Sequence, residues 1–183
     1  MAIASPPTAA LDKLVAATQE RLAVLGQRRA EGMNTLDWRM AVQGVLKDSH
    51  ISAAALSRGG FENLSKSDLG AVGARLRAQY DYLSGLALDT RPGDFGGQAM
   101  ARLAMYGAAP RGTYQAMNQR GAVAEGLDQC QNVLGGGESC DECLAETARG
   151  WVPADDMSLP GERTCLSNCQ CSLEFRGAGE EAA

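Results

Sequence analysis

The sequence predicts a mainly α protein: a helical domain over residues 1–120, then a small irregular cysteine-rich module over residues 121–176 and a flexible tail over residues 177–183. Three observations carry this division. Apolar residues recur every three or four positions through the first two thirds, with no β alternation of useful length before residue 120. All six cysteines fall between Cys130 and Cys171. The charge divides at the same place, because residues 1–120 carry 14 Lys+Arg against 10 Asp+Glu, a net of +4, and residues 121–183 carry 3 against 12, a net of −9.

The length of 183 residues, with 45% hydrophobic and 21% charged, suits one ordinary core plus a small appendage that needs help to fold. Aromatics are only 5%, and much of the apolar content is alanine. A core of this composition is built from thin helices that approach closely.

The first helix is expected over residues 9–31, with Leu11, Leu14, Val15, Thr18, Leu22 and Leu25 on one face, Thr8 as a cap and Gly32 as a stop. A second begins after Asn34 or Thr35 and runs to about Asp48, placing Trp38, Ala41, Val42, Val45 and Ser49 together. The stretch Leu56-Ser-Arg-Gly-Gly60 breaks that pattern. A third starts at Ser67-Asp68 and carries the stripe Leu69, Val72, Leu76, Tyr80, Leu83 and Leu86 or Ala87, until Thr90-Arg-Pro-Gly93 ends it. A shorter helix holds Met100, Leu103, Ala104 and Gly107 and is broken at Pro110-Arg-Gly112. Thr113 caps one more, to about Arg120. Beyond it, Gly135-Gly-Gly137, Pro153 and Pro160-Gly161 describe loops and tight turns held by something other than a hydrophobic core.

No apolar run reaches the 18 or so residues that span a bilayer, and Met1-Ala-Ile-Ala-Ser-Pro-Pro lacks the basic start and apolar stretch of a secretion signal. The expected compartment is therefore reducing cytosol, with no membrane partner. There, clustered cysteines point to metal or redox chemistry rather than structural disulfides. The pattern is Cys140-Asp-Glu-Cys143, a 21-residue spacer, then Cys165-Leu-Ser-Asn-Cys169-Gln-Cys171. A Cys-x-x-Cys turn can set two thiolates about 3.5 Å apart, each near 2.3 Å from one tetrahedral zinc, and a later cluster completes the shell.

Five cysteines, Cys140, Cys143, Cys165, Cys169 and Cys171, compete for four positions. Cys140 and Cys143 are the first pair and Cys169 the next ligand, while Cys165 and Cys171 contend for the last place. Cys130 reads as an ordinary buried thiol. A structural Zn2+ is the leading expectation, against disulfide or redox-active thiols and against a catalytic metal. A catalytic site keeps an open position and a nearby base, whereas here thiolates are in excess and no histidine is close in sequence. A segment of some 45 residues with few large apolar groups needs such an ion to offset its ordering entropy.

Other residues read as structural. His50, the only histidine, is a capping or packing residue rather than a base or ligand. Nothing sets Ser, His and acid in triad order, and Gly93-Asp-Phe-Gly-Gly97 lacks the strand a nucleotide loop requires. Arg28-Arg29 and Arg75 to Arg77 read as solvated helix faces, and Met100, Met105 and Met117 as packing residues. Trp151-Val-Pro153 supplies the expected apolar cover of the metal knuckle. The acidic module is a poor grip for phosphates, so charge gives no support to DNA contact there.

The order of features resembles the C-terminal region of the minor head, or head-morphogenesis, proteins of tailed bacteriophages. The likeness runs from Trp38 to His50 with Gly59-Gly60, through Tyr80-Asp-Tyr-Leu83, Ala99-Met-Ala-Arg-Leu-Ala-Met-Tyr106 and Thr113-Tyr114. It continues in the Cys-x-x-Cys, Gly150-Trp151, Leu159-Pro-Gly161 and the terminal Cys-x-x-Asn-Cys-x-Cys. It spans most of residues 36–175, departing at Ser139, often His in that family, and at Gln170, commonly Arg. The resemblance implies a non-enzymatic virion protein, made in the host cytoplasm and present in multiple copies. Its partners would be the portal or capsid protein, and its role head assembly or genome delivery. The alternative reading is a cytosolic zinc- or redox-responsive regulator whose excess thiolates release metal on oxidation.

Overall fold

A computed structural model describes residues 3–4 and 9–179, except the side chains of Ile3, Ala4 and Ser167. Among these residues the chain is mainly helical with one small sheet. In order it forms β1 (Ile3–Ala4), α1 (Ala9–Ala30), α2 (Thr35–Arg58), α3 (Lys66–Asp89), α4 (Gly97–Ala108) and α5 (Pro110–Ala124). Then come β2 (Gln129–Val133), α6 (Asp141–Ala148), β3 (Val152–Pro153) and β4 (Ser172–Arg176). Among the described residues no helix is long and apolar enough to cross a membrane. The expected cap Thr8 and residues 180–183 of the expected tail lie outside the described residues.

Helix α1 buries Leu11, Val15, Thr18, Leu22 and Leu25 as its periodicity requires. It approaches α4 closely because Gly26 and Gly107 present no side chain, and a Cβ at Gly107 would press on the Gln19 backbone. Helix α2 is capped by Asn34, whose Oδ1 accepts the Asp37 N–H at 3.0 Å. It runs ten residues past the expected end at Asp48, because Ala53, Ala54 and Ala55 are small enough to bury a further turn. It stops only at Gly59, whose φ of 75° suits the left-handed C-terminal turn.

Helix α3 begins one residue before Ser67, with Ser65 as its cap. Ser65 Oγ accepts the Asp68 N–H at 3.0 Å, and Asp68 Oδ2 accepts the Ser65 N–H at 3.1 Å. Leu69, expected in the buried stripe, is exposed, while Val72, Leu76, Leu83, Leu86 and Ala87 are buried. Pro110 is the first residue of α5, where its missing N–H costs nothing, so α5 starts before Thr113 and extends to Ala124. Thr113 is therefore not a cap. It lies buried inside the helix with its Oγ1 2.6 Å from His50 Nδ1.

Arg29 overturns the reading of Arg28-Arg29 as a solvated pair. Its side chain is fully buried, donating to the Met33 and Thr90 carbonyls and to Thr35 Oγ1 at 2.8–2.9 Å, with the guanidinium 5.7 Å from the Trp38 ring centre. Trp38 in turn meets Phe95, from the Gly93–Gly97 turn, at 5.3 Å. The carbonyls left free at the end of α1 and at Thr90 supply acceptors that water would otherwise satisfy. Of the three methionines, Met117 is fully buried, Met100 packs against the core and Met105 is exposed.

The sheet was not anticipated. Its order is β1-β4-β2-β3, all antiparallel, with Cys130 opposite Phe175 and Asn132 opposite Leu173. Cys130, Leu173 and Phe175 point inward and belong to the same apolar cluster as Leu22, Trp38, Leu46, Leu83 and Met117. The segment after residue 120 therefore does rest on apolar packing, contrary to the expectation from its loops. Trp151, expected over the cysteines, stacks instead on the Arg176 guanidinium at 4.3 Å, where a cation meets the ring face.

Candidate metal centre

The sheet and α6 bring five cysteines to one place from three short stretches. Cys140 occupies the cap position of α6 and Cys143 lies in its first turn, so the Cys-x-x-Cys spacing folds both sulfurs to the same end of the helix. Cys165 and Cys169 flank a single 3-10 turn, Leu166–Asn168. In that turn Leu166 adopts a φ of 47°, a left-handed conformation that costs a side-chain-bearing residue on the order of 1–2 kcal/mol. Cys171 follows two residues later, at the entrance to β4. On the far side, Gly135 passes so close to the Gln170 carbonyl that no side chain fits between them.

Cys143 is the centre of the group. Its Sγ lies 3.6 Å from Cys165 Sγ and 3.7 Å from Cys169 Sγ. A tetrahedron of thiolates 2.3 Å from one ion has edges of about 3.8 Å, so these separations fit metal ligation. The sulfurs gather as two threes, Cys140, Cys143 and Cys165 on one side and Cys143, Cys169 and Cys171 on the other, each within 4.8 Å of one another. Cys143, Cys169 and Cys171 are buried and Cys140 and Cys165 half-buried. None of the six cysteines, all of them among the described residues, is joined in a disulfide. The clusters can hold a metal ion.

Hydrogen-bond donors converge on the sulfurs, as charged thiolates require. The N–H groups of Cys143 and Cys165 donate to Cys140, whose thiol is lowered to about 7, chiefly by the Cys143 N–H. Burial pushes Cys169 upward, but the N–H groups of Cys171 and Gly161 and the neighbouring thiols outweigh it, leaving a net lowering. Burial raises Cys165 to about 12 and raises Cys143 as well, and for Cys143 Arg163 opposes the shift. The site thus mixes sulfurs already favoured as thiolates with sulfurs that need a cation to lose their protons.

Arg163 and Asn132 were missed in the sequence. Arg163 is 3% exposed, and its Nη1 donates to Cys143 Sγ at 3.5 Å and to Asn132 Oδ1 at 2.7 Å. Its Nη2 donates to the Ser158 carbonyl, and its Nε to Ser158 Oγ at 3.1 Å. Asn132 completes the layer from β2, donating to Thr147 Oγ1 at 2.7 Å and to the Cys143 carbonyl at 3.3 Å. One signal was available: residues 121–183 contain only three arginines, Arg149, Arg163 and Arg176, and a lone cation two residues before Cys165 in so acidic a segment has a natural partner in thiolates. Glu142 also serves the fold, its Oε2 accepting the Thr164 N–H at 2.6 Å and so tying α6 to the loop that delivers Cys165.

The remaining candidates lie elsewhere. Cys130 is fully buried on β2 and its thiol is raised to about 11 by burial. His50 is buried between α2, α3 and α5, its Nε2 3.1 Å from Gln79 Oε1, and burial lowers it to about 4. It is a packing residue, as expected. Compared with known proteins, the chain matches no family model, and no similar curated protein or solved structure is found.

Proposed function

We propose that the five cysteines form a structural zinc centre. Zinc fits because thiolate ligands in tetrahedral reach, without a redox role, are its ordinary structural environment. The observation that carries this reading is the convergence on Cys143: four other sulfurs crowd it from two sides, with a buried guanidinium behind. The ion would clip the loop between β3 and β4 to α6, so that β4 is held at both ends. Structural zinc supplies on the order of 10 kcal/mol of apparent folding free energy at neutral pH, enough to hold these loops and the strained turn at Leu166.

On this reading the chain is a non-enzymatic virion component of a phage head, at the portal or inner capsid, acting in head assembly or genome delivery. Support comes from the ordered likeness over residues 36–175. The helical body exposes Leu36, Met40, Tyr82 and Leu88, which would be available for contact with virion proteins. The test is mass spectrometry of purified virions and of isolated portal complexes. The protein is expected in both or one of them, and its absence from both would remove the virion assignment.

Two observations favour the second reading, a zinc- or redox-responsive regulator: there are more sulfurs than one tetrahedral ion can use, and Cys140 is partly exposed with a lowered thiol pKa. Peroxide titration with a zinc-sensitive dye separates the two. Prompt, reversible release with a change of conformation favours the regulator, and inertness favours the structural role.

A further inference from the structure

We propose that the cysteine cluster holds two thiophilic metal ions, with Cys143 as a thiolate shared between them. This deepens the metal reading above and rests on it. The geometry points to it because the sulfurs do not gather around one centre. Cys140, Cys143 and Cys165 form one three-sulfur set and Cys143, Cys169 and Cys171 another, and the single member in common is Cys143. Its sulfur sits between the sets, 3.6 Å from Cys165 on one side and 3.7 Å from Cys169 on the other.

A single tetrahedral ion leaves the fifth sulfur without a role. Cys169 and Cys171 are each 5% exposed, so either of them left as the spare group would be a buried thiol against metal-bound thiolates. Formal charge points the same way. With one divalent ion, four thiolates and Arg163 sum to −1 and the fifth sulfur stays protonated, whereas five thiolates, Arg163 and two divalent ions sum to zero. Uncompensated charge is costly where water is excluded.

Arg163 also faces the shared sulfur rather than a peripheral one. Each ion would take three sulfurs from its set and one further ligand. A cavity of about 70 Å³ lies against the cluster, edged by Gly135, Gly136, Gly137 and Ser139, and gives room for water there. The triple glycine then has a purpose beyond the close pass at Gln170: it keeps the space beside the sulfurs free of side chains.

The experiment is native mass spectrometry of the full chain, purified without chelator and titrated with Zn2+ and, in parallel, with Cd2+. Two ions per chain are expected for the wild type. Cys171→Ser and Cys140→Ser each remove a ligand of one set only, and each is expected to reduce the count from two to one. If either variant fails to fold, the other and the cadmium-113 spectrum of the wild type decide, since two coupled cadmium signals are expected from a shared sulfur. A wild-type count of one ion, unchanged in Cys171→Ser, overturns the shared-thiolate arrangement while leaving the structural centre intact. No bound ion in any form overturns both.

Discussion

Arg163 Nη1 lies 3.5 Å from Cys143 Sγ and 2.7 Å from Asn132 Oδ1, so a buried cation links the most crowded cysteine to strand β2. The guanidinium thereby joins the cysteine cluster to the main core, because Asn132 neighbours Cys130 and pairs with Leu173 in the sheet. Removing it strips the thiolates of a charge partner and leaves Asn132 and the Ser158 carbonyl short of a donor.

Arg163→Met is therefore expected to weaken zinc binding by about 10–100-fold, the usual cost of losing a group that orients a metal ligand. Competition with a chromophoric chelator measures it. Arg163→Lys is expected to recover little, since one ammonium cannot reach Cys143, Asn132 and Ser158 together. Unchanged affinity in the methionine variant would show that the guanidinium serves folding alone.

Cys130 and Cys143 should separate cleanly. Cys130→Ala removes a small buried group from the apolar side of β2, with an expected loss of about 1 kcal/mol and no change in metal content. Cys143→Ser is expected to abolish stoichiometric metal binding. Urea unfolding together with elemental analysis of the two variants checks both statements.

Gly135→Ala places a Cβ against the Gln170 carbonyl, between Cys169 and Cys171. The backbone must move, so the variant is expected to lose about 1–3 kcal/mol and to release zinc faster, while far-ultraviolet dichroism stays close to wild type. Gly136→Ala has open space at the same loop and is expected to be near neutral.

His50 gives the fold a pH dependence of its own. Its folded-state pKa, about 4, lies below the ordinary 6.5 because burial penalises the imidazolium, and Arg75 adds to the lowering while Gln79 opposes it. The unfolded chain thus binds a proton that the folded chain refuses. Stability is complete above about pH 6.5 and falls as pH drops from there to about 4, by roughly 3 kcal/mol from this group. His50→Gln is expected to flatten the decline over that window in thermal unfolding curves recorded from pH 7.5 to pH 4.

The helices were legible because Leu11, Val15, Leu22 and Leu25, and then Val72, Leu76, Leu83 and Leu86, repeat at the helical period and are buried. Their ends were less so. Alanines at 53–55 carry little apolar signal, yet they bury a full turn of α2. Ser65 and Ser67 both look like caps, and only the three-residue spacing to Asp68 selects Ser65. The cysteine array was read correctly as a cluster, since chemistry-bearing residues at close spacing survive any uncertainty in the backbone. The sheet beneath it was not, because the inward residues of β2 are Cys130 and Asn132, neither of which reads as a strand core. Strand β4 does alternate, in Ser172, Leu173, Glu174, Phe175 and Arg176, but five residues beside a cysteine motif are too few to stand out. Arg29 was invisible because a buried arginine depends on carbonyls and side chains from distant segments, which no local pattern reveals, whereas Arg163 left one trace, its place two residues before Cys165 in an acidic segment.

A thiolate-bound ion at Cys143 and its neighbours underlies the proposed metal centre. X-ray absorption at the zinc edge, on full-length protein purified without chelator, tests this most directly. The prediction is a first shell dominated by sulfur at about 2.3 Å. A shell of oxygen or nitrogen alone, or no zinc edge at all, would contradict it.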